Sequence, residues 1–434
     1  MLQTVIGVIL LITFIGFIVY AAKGGNMLLG LFAMAIMWSA LGAIGGALTW
    51  NDINTTIFDG GPTGFGPTAV YIIFGSWFGR ILLETGIAGT IIRKAVELGG
   101  DKPAITCILL CIVTAAIFTT SYGPGAVVAI GVIVFPIMLS LGIPKALATG
   151  SFVMSVGCGL YFNQSLLTQA AGSMALGEEQ YLTTPEQWNS WYPFAAIAFG
   201  IHLLSIILMV LITLRKDGKA HASTADASTK NVGLLACLTV ILPVTLSVAF
   251  KLSQIPAILI SVIWALLFTG NLKGWNKIAE LVQKTFHDGV ADVGLVLGFL
   301  MFLQMFVKAA GACKNLLAPI VSPILPSNTL ALFLVFGVLG FLALYRGPLT
   351  IWGAGIATFA IVAGATNLPL SILYPLFYIP CCTVTTNVCP TQSWNMWAIG
   401  YTQVSVKDFM KQVLVYALPC AFVLELVAYF MFAA

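Results

Sequence analysis

Long apolar stretches separated by short polar ones make up almost the whole chain. Runs close to the roughly 17–25 residues of a membrane-spanning helix cover 2–21, 27–48, 66–92, 145–162, 193–214, 232–250, 254–270, 289–308, 368–385 and 412–433. No basic residue precedes the first of these and Lys23 follows it, so it reads as a span rather than a secretory leader. Two further apolar stretches, 103–142 and 328–366, are each about 40 residues long. Each is interrupted near its middle by a Gly-Pro turn, Tyr122-Gly123-Pro124-Gly125 and Tyr345-Arg346-Gly347-Pro348. Proline removes a backbone donor and glycine relaxes the backbone, so each stretch predicts two helices around a tight turn. Such a pair is either two full spans or a re-entrant hairpin.

Composition agrees with lipid as the solvent. Of 434 residues 59% are hydrophobic and 8% charged, against roughly 25% charged in soluble domains. The net charge of +4 and the lack of a basic stripe with interleaved aromatics exclude a nucleic-acid partner. The nine cysteines form no CxxC pair and lie mostly in apolar runs, which suits small packing residues better than a metal or redox site. There is no nucleophile–base pair, HExxH or phosphate-binding glycine loop, so no enzyme and no organic cofactor is expected.

Charge also sets the predicted sidedness. With the loop carrying Arg215, Lys216, Lys219 and Lys230 placed in the cytoplasm, Lys23, Arg93, Lys94, Lys102, Lys145, Lys273, Lys277, Lys284, Lys407 and Lys411 also fall inside. Lys251, Lys308 and Lys314 fall outside, with the loop of Glu178, Glu179 and Glu186. Fourteen basic residues inside against three outside orient a multi-pass protein of a bacterial inner membrane with both termini outside.

The two halves carry the same signals in the same order. Trp50-Asn51-Asp52-Ile53 and Phe58-Asp59-Gly60 precede the third span; Trp275-Asn276-Lys277-Ile278 and Phe286-His287-Asp288-Gly289 precede its counterpart. Pro124 precedes Asn163 by 39 positions, and Pro348 precedes Asn387 by 39. An odd number of crossings per half makes the repeat inverted. The predicted fold class is therefore an all-α polytopic membrane protein of two inverted repeats, with about 10 transmembrane spans, two re-entrant hairpins and two broken helices. The first repeat covers 1–215, with its hairpin at about 102–142 and broken helix at about 145–176; a polar linker covers 216–231. The second covers 232–434, with its hairpin at about 327–366 and broken helix at about 368–401.

Irregular backbone at membrane depth is tolerated where it lines a cavity. The candidate substrate site is accordingly the two hairpin tips and the two breaks: Ser121, Tyr122 and Gly123; Asn163, Gln164 and Ser165; Arg346 and Gly347; Thr385, Thr386 and Asn387. Oxygen ligands for a coupling ion come from Thr120, Ser121, Asn163, Thr386, Asn387 and Thr391. Arg346 is the sharpest of these, because a guanidinium in an apolar hairpin is costly and its planar fork suits a carboxylate. Arg80 and Glu84, four apart on one helix, read as an ion pair with each other. His202 and Glu425, each alone in an apolar span, read as packed or interfacial, and Ser327-Asn328-Thr329 reads as a helix cap.

The run Phe74-Gly75-Ser76-Trp77-Phe78-Gly79-Arg80-Ile81-Leu82-Leu83-Glu84-Thr85-Gly86, followed by Ile91-Ile92-Arg93-Lys94-Ala95, resembles the gluconate permease family. So do Tyr122 and Gly125 ahead of a helix ending at Phe135-Pro136, and the glycine-rich helix with Gly353 and Gly355. These permeases and the related citrate transporters belong to the ion transporter superfamily. The resemblance implies a homodimer in which a domain of hairpins and broken helices moves against a scaffold. The sequence departs from the family at Gly123, where an acidic residue is usual, and at Asn163-Gln164-Ser165 and Asn387-Val388-Cys389-Pro390. With no acid at either break, sodium is the expected coupling ion ahead of a protein-borne proton. The function implied is cation-coupled symport of small organic anions such as carboxylates or sugar acids; a sodium/proton antiporter of the same superfamily is the alternative.

Overall fold

The computed structural model describes residues 2–23, 25–100, 102–175, 179–217, 231–323, 325–326, 328–366 and 368–434. Most of the linker, Glu178 and Ser327 lie outside these. The described chain is helical, with no β-strand. Five helices are long and apolar enough to cross a membrane, or six when the bent pair Thr329–Val338 and Gly340–Arg346 is taken as one. Isoleucines and leucines such as Ile12, Ile15, Ile44 and Ile263 stand exposed on the outer surface, as a lipid-facing surface requires.

The helix Trp275–Ala312 is the longest, at 38 residues. The helix Gly66–Glu84 lies along it. Four contacts join the two. Trp77 Nε1 donates to Thr285 Oγ1 at 3.1 Å, and Gly289 lets the backbone at Trp77 approach so closely that a Cβ would sit 2.8 Å from it. Arg80 forks onto both carboxylate oxygens of Asp292 at 2.6 Å, and Lys284 reaches Glu84 at 3.0 Å. The expected Arg80–Glu84 pair is thus replaced by two pairs across the helix interface. A guanidinium prefers the planar, half-buried carboxylate of Asp292, and Glu84 lies at the exposed helix end where Lys284 can meet it.

Both hairpins form. Pro103–Phe118 and Pro124–Ser140 flank the first tip, where Gly123 takes a φ of 100° that a side chain would oppose. The second hairpin enters through Thr329–Val338, whose Asn328 cap accepts from Leu330 N at 2.7 Å, and leaves through Gly355–Thr366. Between them Tyr345 and Arg346 sit at φ values of 52° and 60°. Two successive bulky residues in the left-handed region cost about 1–2 kcal/mol each, so the surrounding contacts hold this tip in place.

Both broken helices also form: Lys145–Gly159 then Gln164–Ser173, and Leu370–Pro380 with a π turn at Cys381–Thr385 then Ser393–Thr402. They lie against one another. Tyr374 and Tyr378 donate their hydroxyls to the carbonyls of Leu167 and Leu160, each at 2.8 Å. Gly157 has no room for a side chain, since a Cβ would stand 2.0 Å from Asn387 Oδ1.

Elsewhere the apolar pattern overran the real elements. The stretch 66–92 is split at Gly86, whose φ of 79° ends one helix and starts Ile87–Gly99. The stretch 232–250 is interrupted by a 3-10 turn at Leu238–Val240, just ahead of Pro243. Arg93 donates to Asn231 Oδ1, and Lys284 donates to Glu84 Oε1. Lys251 stands with Gln180 and Thr183 at a separate cavity mouth.

Asp292→Ala should leave Arg80 half-buried and unpaired. The purified protein should lose about 2–4 kcal/mol, at or below the usual cost of breaking a buried pair because Arg80 keeps 25% of its side chain exposed. Thermal unfolding in detergent measures this, and Asp292→Glu should recover part of the loss.

Candidate functional site: two helix breaks and a polar cavity

At the first break, Asn163 is fully engaged. Its Nδ2 donates to the carbonyls of Phe118 at 3.0 Å and Ser121 at 2.7 Å, and its Oδ1 accepts from Leu166 N at 3.1 Å. One side chain therefore caps the helix that follows and ties it to the hairpin tip. Thr120 donates to Val240 O at 2.9 Å, and Tyr122 donates its hydroxyl to Gln169 Oε1. Gln164 donates to Tyr192 at 2.8 Å. Ser165 donates to Tyr71 O at 3.3 Å and accepts from Gln254 Nε2 at 2.7 Å.

This tip rests on the glycine face of Gly66–Glu84. A Cβ at Gly75 would be 1.9 Å from Ser165 Oγ, and one at Gly79 would be 3.7 Å from Ser121 Oγ. Around it three buried polar atoms have no partner among the described residues: Ser76 Oγ, Ser121 Oγ and Gln254 Oε1. Each such group costs about 1–3 kcal/mol when it stays unsatisfied, so together they form a prepared hydrogen-bonding surface.

A cavity of about 250 Å³ borders this surface at Gln254. Its walls include Thr68, Tyr71, Gln164, Thr168, Tyr192 and Gln254, and Lys251 is the cation among its lining residues. Gln164 and Gln254 also line a second, smaller pocket of about 10 Å³ that reaches Thr119, Thr120 and Ser165 at the tip. The larger volume lies below the roughly 300–1,000 Å³ of drug-sized sites, which suits a small polar ligand.

At the second break the same logic holds with different side chains. Thr385 donates to Ala343 O at 3.0 Å, joining break to tip. Tyr345 N donates to Cys389 Sγ at 3.1 Å. Arg346 reaches Trp352 O at 3.3 Å and Thr391 O at 3.4 Å, and has no carboxylate partner among the described residues. Gly347 is buried beside it and lies too close to Leu342 O, at 2.2 Å from an added Cβ, for any side chain. Thr386 donates to Cys382 O, and Thr391 Oγ1 lies 3.0 Å from Cys389 Sγ. Asn387 gives its amide to Cys382 O and Thr383 O at 3.0 and 2.9 Å.

The structure thus gathers the predicted residues as two half-sites, each tip bonded to the break of its own half. The half-sites meet through a residue that the sequence left as a lone packed histidine. His202 is fully buried, with Nε2 3.0 Å from Asn387 Nδ2 and Nδ1 3.3 Å from Tyr161 OH. A ring with two distinct nitrogens in an apolar helix was the available signal; that it faced both breaks was not readable. Gln254, Tyr192, Ser76 and Lys251 were missed because they come from elements distant in sequence.

No protein-family model matches the sequence, and no curated protein sequence matches it. Among solved structures, the fold is similar to the Alcanivorax borkumensis YdaH transporter, described as having an unusual topology. The TM-score is 0.64 at 13% identity, over 92% of this chain and 97% of that one. This likeness is one of fold: the chain shares the helical architecture of a membrane transporter.

Proposed function

We propose that the protein is a secondary-active symporter of small organic anions, carboxylates or sugar acids, driven by a cation gradient of sodium or protons in a bacterial inner membrane. The observation that carries this reading is Arg346. It is a guanidinium held between hairpin tip and helix break by two backbone carbonyls, with no carboxylate partner among the described residues. A substrate carboxylate would supply the missing charge and take the fork in place of those long bonds. A sodium/proton antiporter has no use for an uncompensated cation at this point, which favours the symporter. The resemblance to gluconate permeases points to the same substrate class, and the fold shared with a transporter supports vectorial movement over catalysis.

The polar cavity, lined by Lys251, Gln164, Tyr192 and Gln254, would offer such an anion hydrogen-bond partners on the side of the first break, while Arg346 would hold its carboxylate at the second. The hairpins and broken helices would move together, as a homodimer's transport domains, against the pair Gly66–Glu84 and Trp275–Ala312.

Uptake by proteoliposomes of radiolabelled gluconate, succinate and citrate, under imposed sodium or pH gradients, tests the proposal. Accumulation of none of these acids under either gradient would sink it. Arg346→Lys should weaken apparent affinity by at least about tenfold, and Arg346→Ala should abolish uptake, on the scale of about 2–5 kcal/mol for one half of a buried charge pair. Wild-type affinity in Arg346→Ala would remove the guanidinium from the site. Thr168→Cys, in a background lacking reactive cysteines, should be inhibited by a charged thiosulfonate reagent, and the transported acid should slow that inhibition; unaltered uptake after complete modification would place the route elsewhere.

A further inference from the structure

Glu425 lies in the last long helix, Val406–Phe432, amid Leu424, Ala421 and Ala428 of the apolar core. Its side chain is 1% exposed and neither carboxyl oxygen has a hydrogen-bond partner among the described residues. An ionised carboxylate in such a setting would cost several kcal/mol. In this conformation the group therefore carries its proton. The neutral acid is still unsatisfied as donor and acceptor, a penalty of about 1–3 kcal/mol per group.

Its surroundings complete the case. Elements packed against this helix bring Tyr161 and Cys158 from the first broken helix, and His202 from Pro185–Asp217. They also bring Tyr374, Tyr378, Cys381 and Cys382 from the second, and Arg346 from the second tip; Thr329–Val338 brings no titratable group. None of these groups is hydrogen-bonded to Glu425 among the described residues. Arg346 is committed to the carbonyls of Trp352 and Thr391. On its own helix Cys420 is the neighbour.

From Tyr161 a line of polar contacts runs to the second break: Tyr161 OH to His202 Nδ1 at 3.3 Å, His202 Nε2 to Asn387 Nδ2 at 3.0 Å, and Asn387 Oδ1 to Thr386 Oγ1 at 3.2 Å. Asn387 Nδ2 has two hydrogens and three neighbours to share them among, Cys382 O, Thr383 O and His202 Nε2.

We propose that Glu425 is the coupling-proton site, a buried carboxylic acid that releases and regains one proton per cycle on the helix packed against the second helix break. This rests on the transport reading above, and it names the proton as the coupling ion where the sequence favoured sodium. The carboxylate formed on release would have no partner in the apolar core, so loss of the proton would favour a different packing of this helix against the second break.

The test has two arms. In liposomes without substrate, dicyclohexylcarbodiimide, which attacks protonated carboxyls in apolar surroundings, should label Glu425, and the adduct found by mass spectrometry should diminish as pH rises. Adducts at Glu84 or Asp292 with none at Glu425 would overturn the assignment. In the second arm, wild-type protein should accumulate its acid about tenfold per pH unit of gradient for one coupled proton. Glu425→Gln should lose this accumulation yet keep counterflow of the same acid. Accumulation by Glu425→Gln equal to wild type, or loss of counterflow in a variant with an unchanged melting temperature, would refute the proposal. Wild-type uptake that follows sodium alone would refute the proton site and leave the transporter standing. No uptake of any acid by wild type would refute the transport reading, and the labelling arm would still decide whether Glu425 holds a proton.

Discussion

A helix that breaks inside a membrane leaves N–H and C=O groups with no water to receive them, and the architecture follows from answering that demand. Asn163 answers it in the first half, bonding two carbonyls of the hairpin tip and one amide of the succeeding helix. In the second half the work is divided among Thr385, Asn387 and Arg346. Because each break is satisfied by a hairpin tip, tip and break form one unit. A substrate that competes for those bonds can shift both together.

The two units then satisfy one another. Tyr374 and Tyr378 close the carbonyls at and after the first break, while His202 reaches from its own helix to Asn387 at the second. Residues that look like site ligands are therefore structural in this conformation, and the unpartnered groups lie beside them: Ser76, Ser121 and Gln254 near the cavity, and Glu425 on the far side of the second break. Ligand recognition falls to atoms that the fold leaves unpaid.

Charge follows the same rule of compensation. Arg80 is matched by Asp292, whose carboxylate packs so tightly on Gly125 that a Cβ there would sit 2.1 Å away, at the N-terminal end of the helix Pro124–Ser140. That anion lies where the helix dipole favours it and links the long helix to the first tip. Arg346 has no such match, and the difference separates a cation held for architecture from one available to a ligand.

Hydrophobic pattern alone was enough to reveal helices of membrane-spanning length and the Gly-Pro interruptions between others, because span length and such interruptions are local properties of the chain. It also marked Arg346, since a charge in an apolar run is conspicuous without a structure. It could not show that Arg80 meets Asp292 rather than Glu84, that His202 bridges the two breaks, or that Gln254 and Tyr192 face Gln164. Nor could it separate Glu425 from an interfacial carboxylate. Those outcomes depend on which helix faces lie against each other, and periodicity over a nearly uniform apolar helix carries no such information; only packing in three dimensions decides which polar groups find partners and which are left to bind something else.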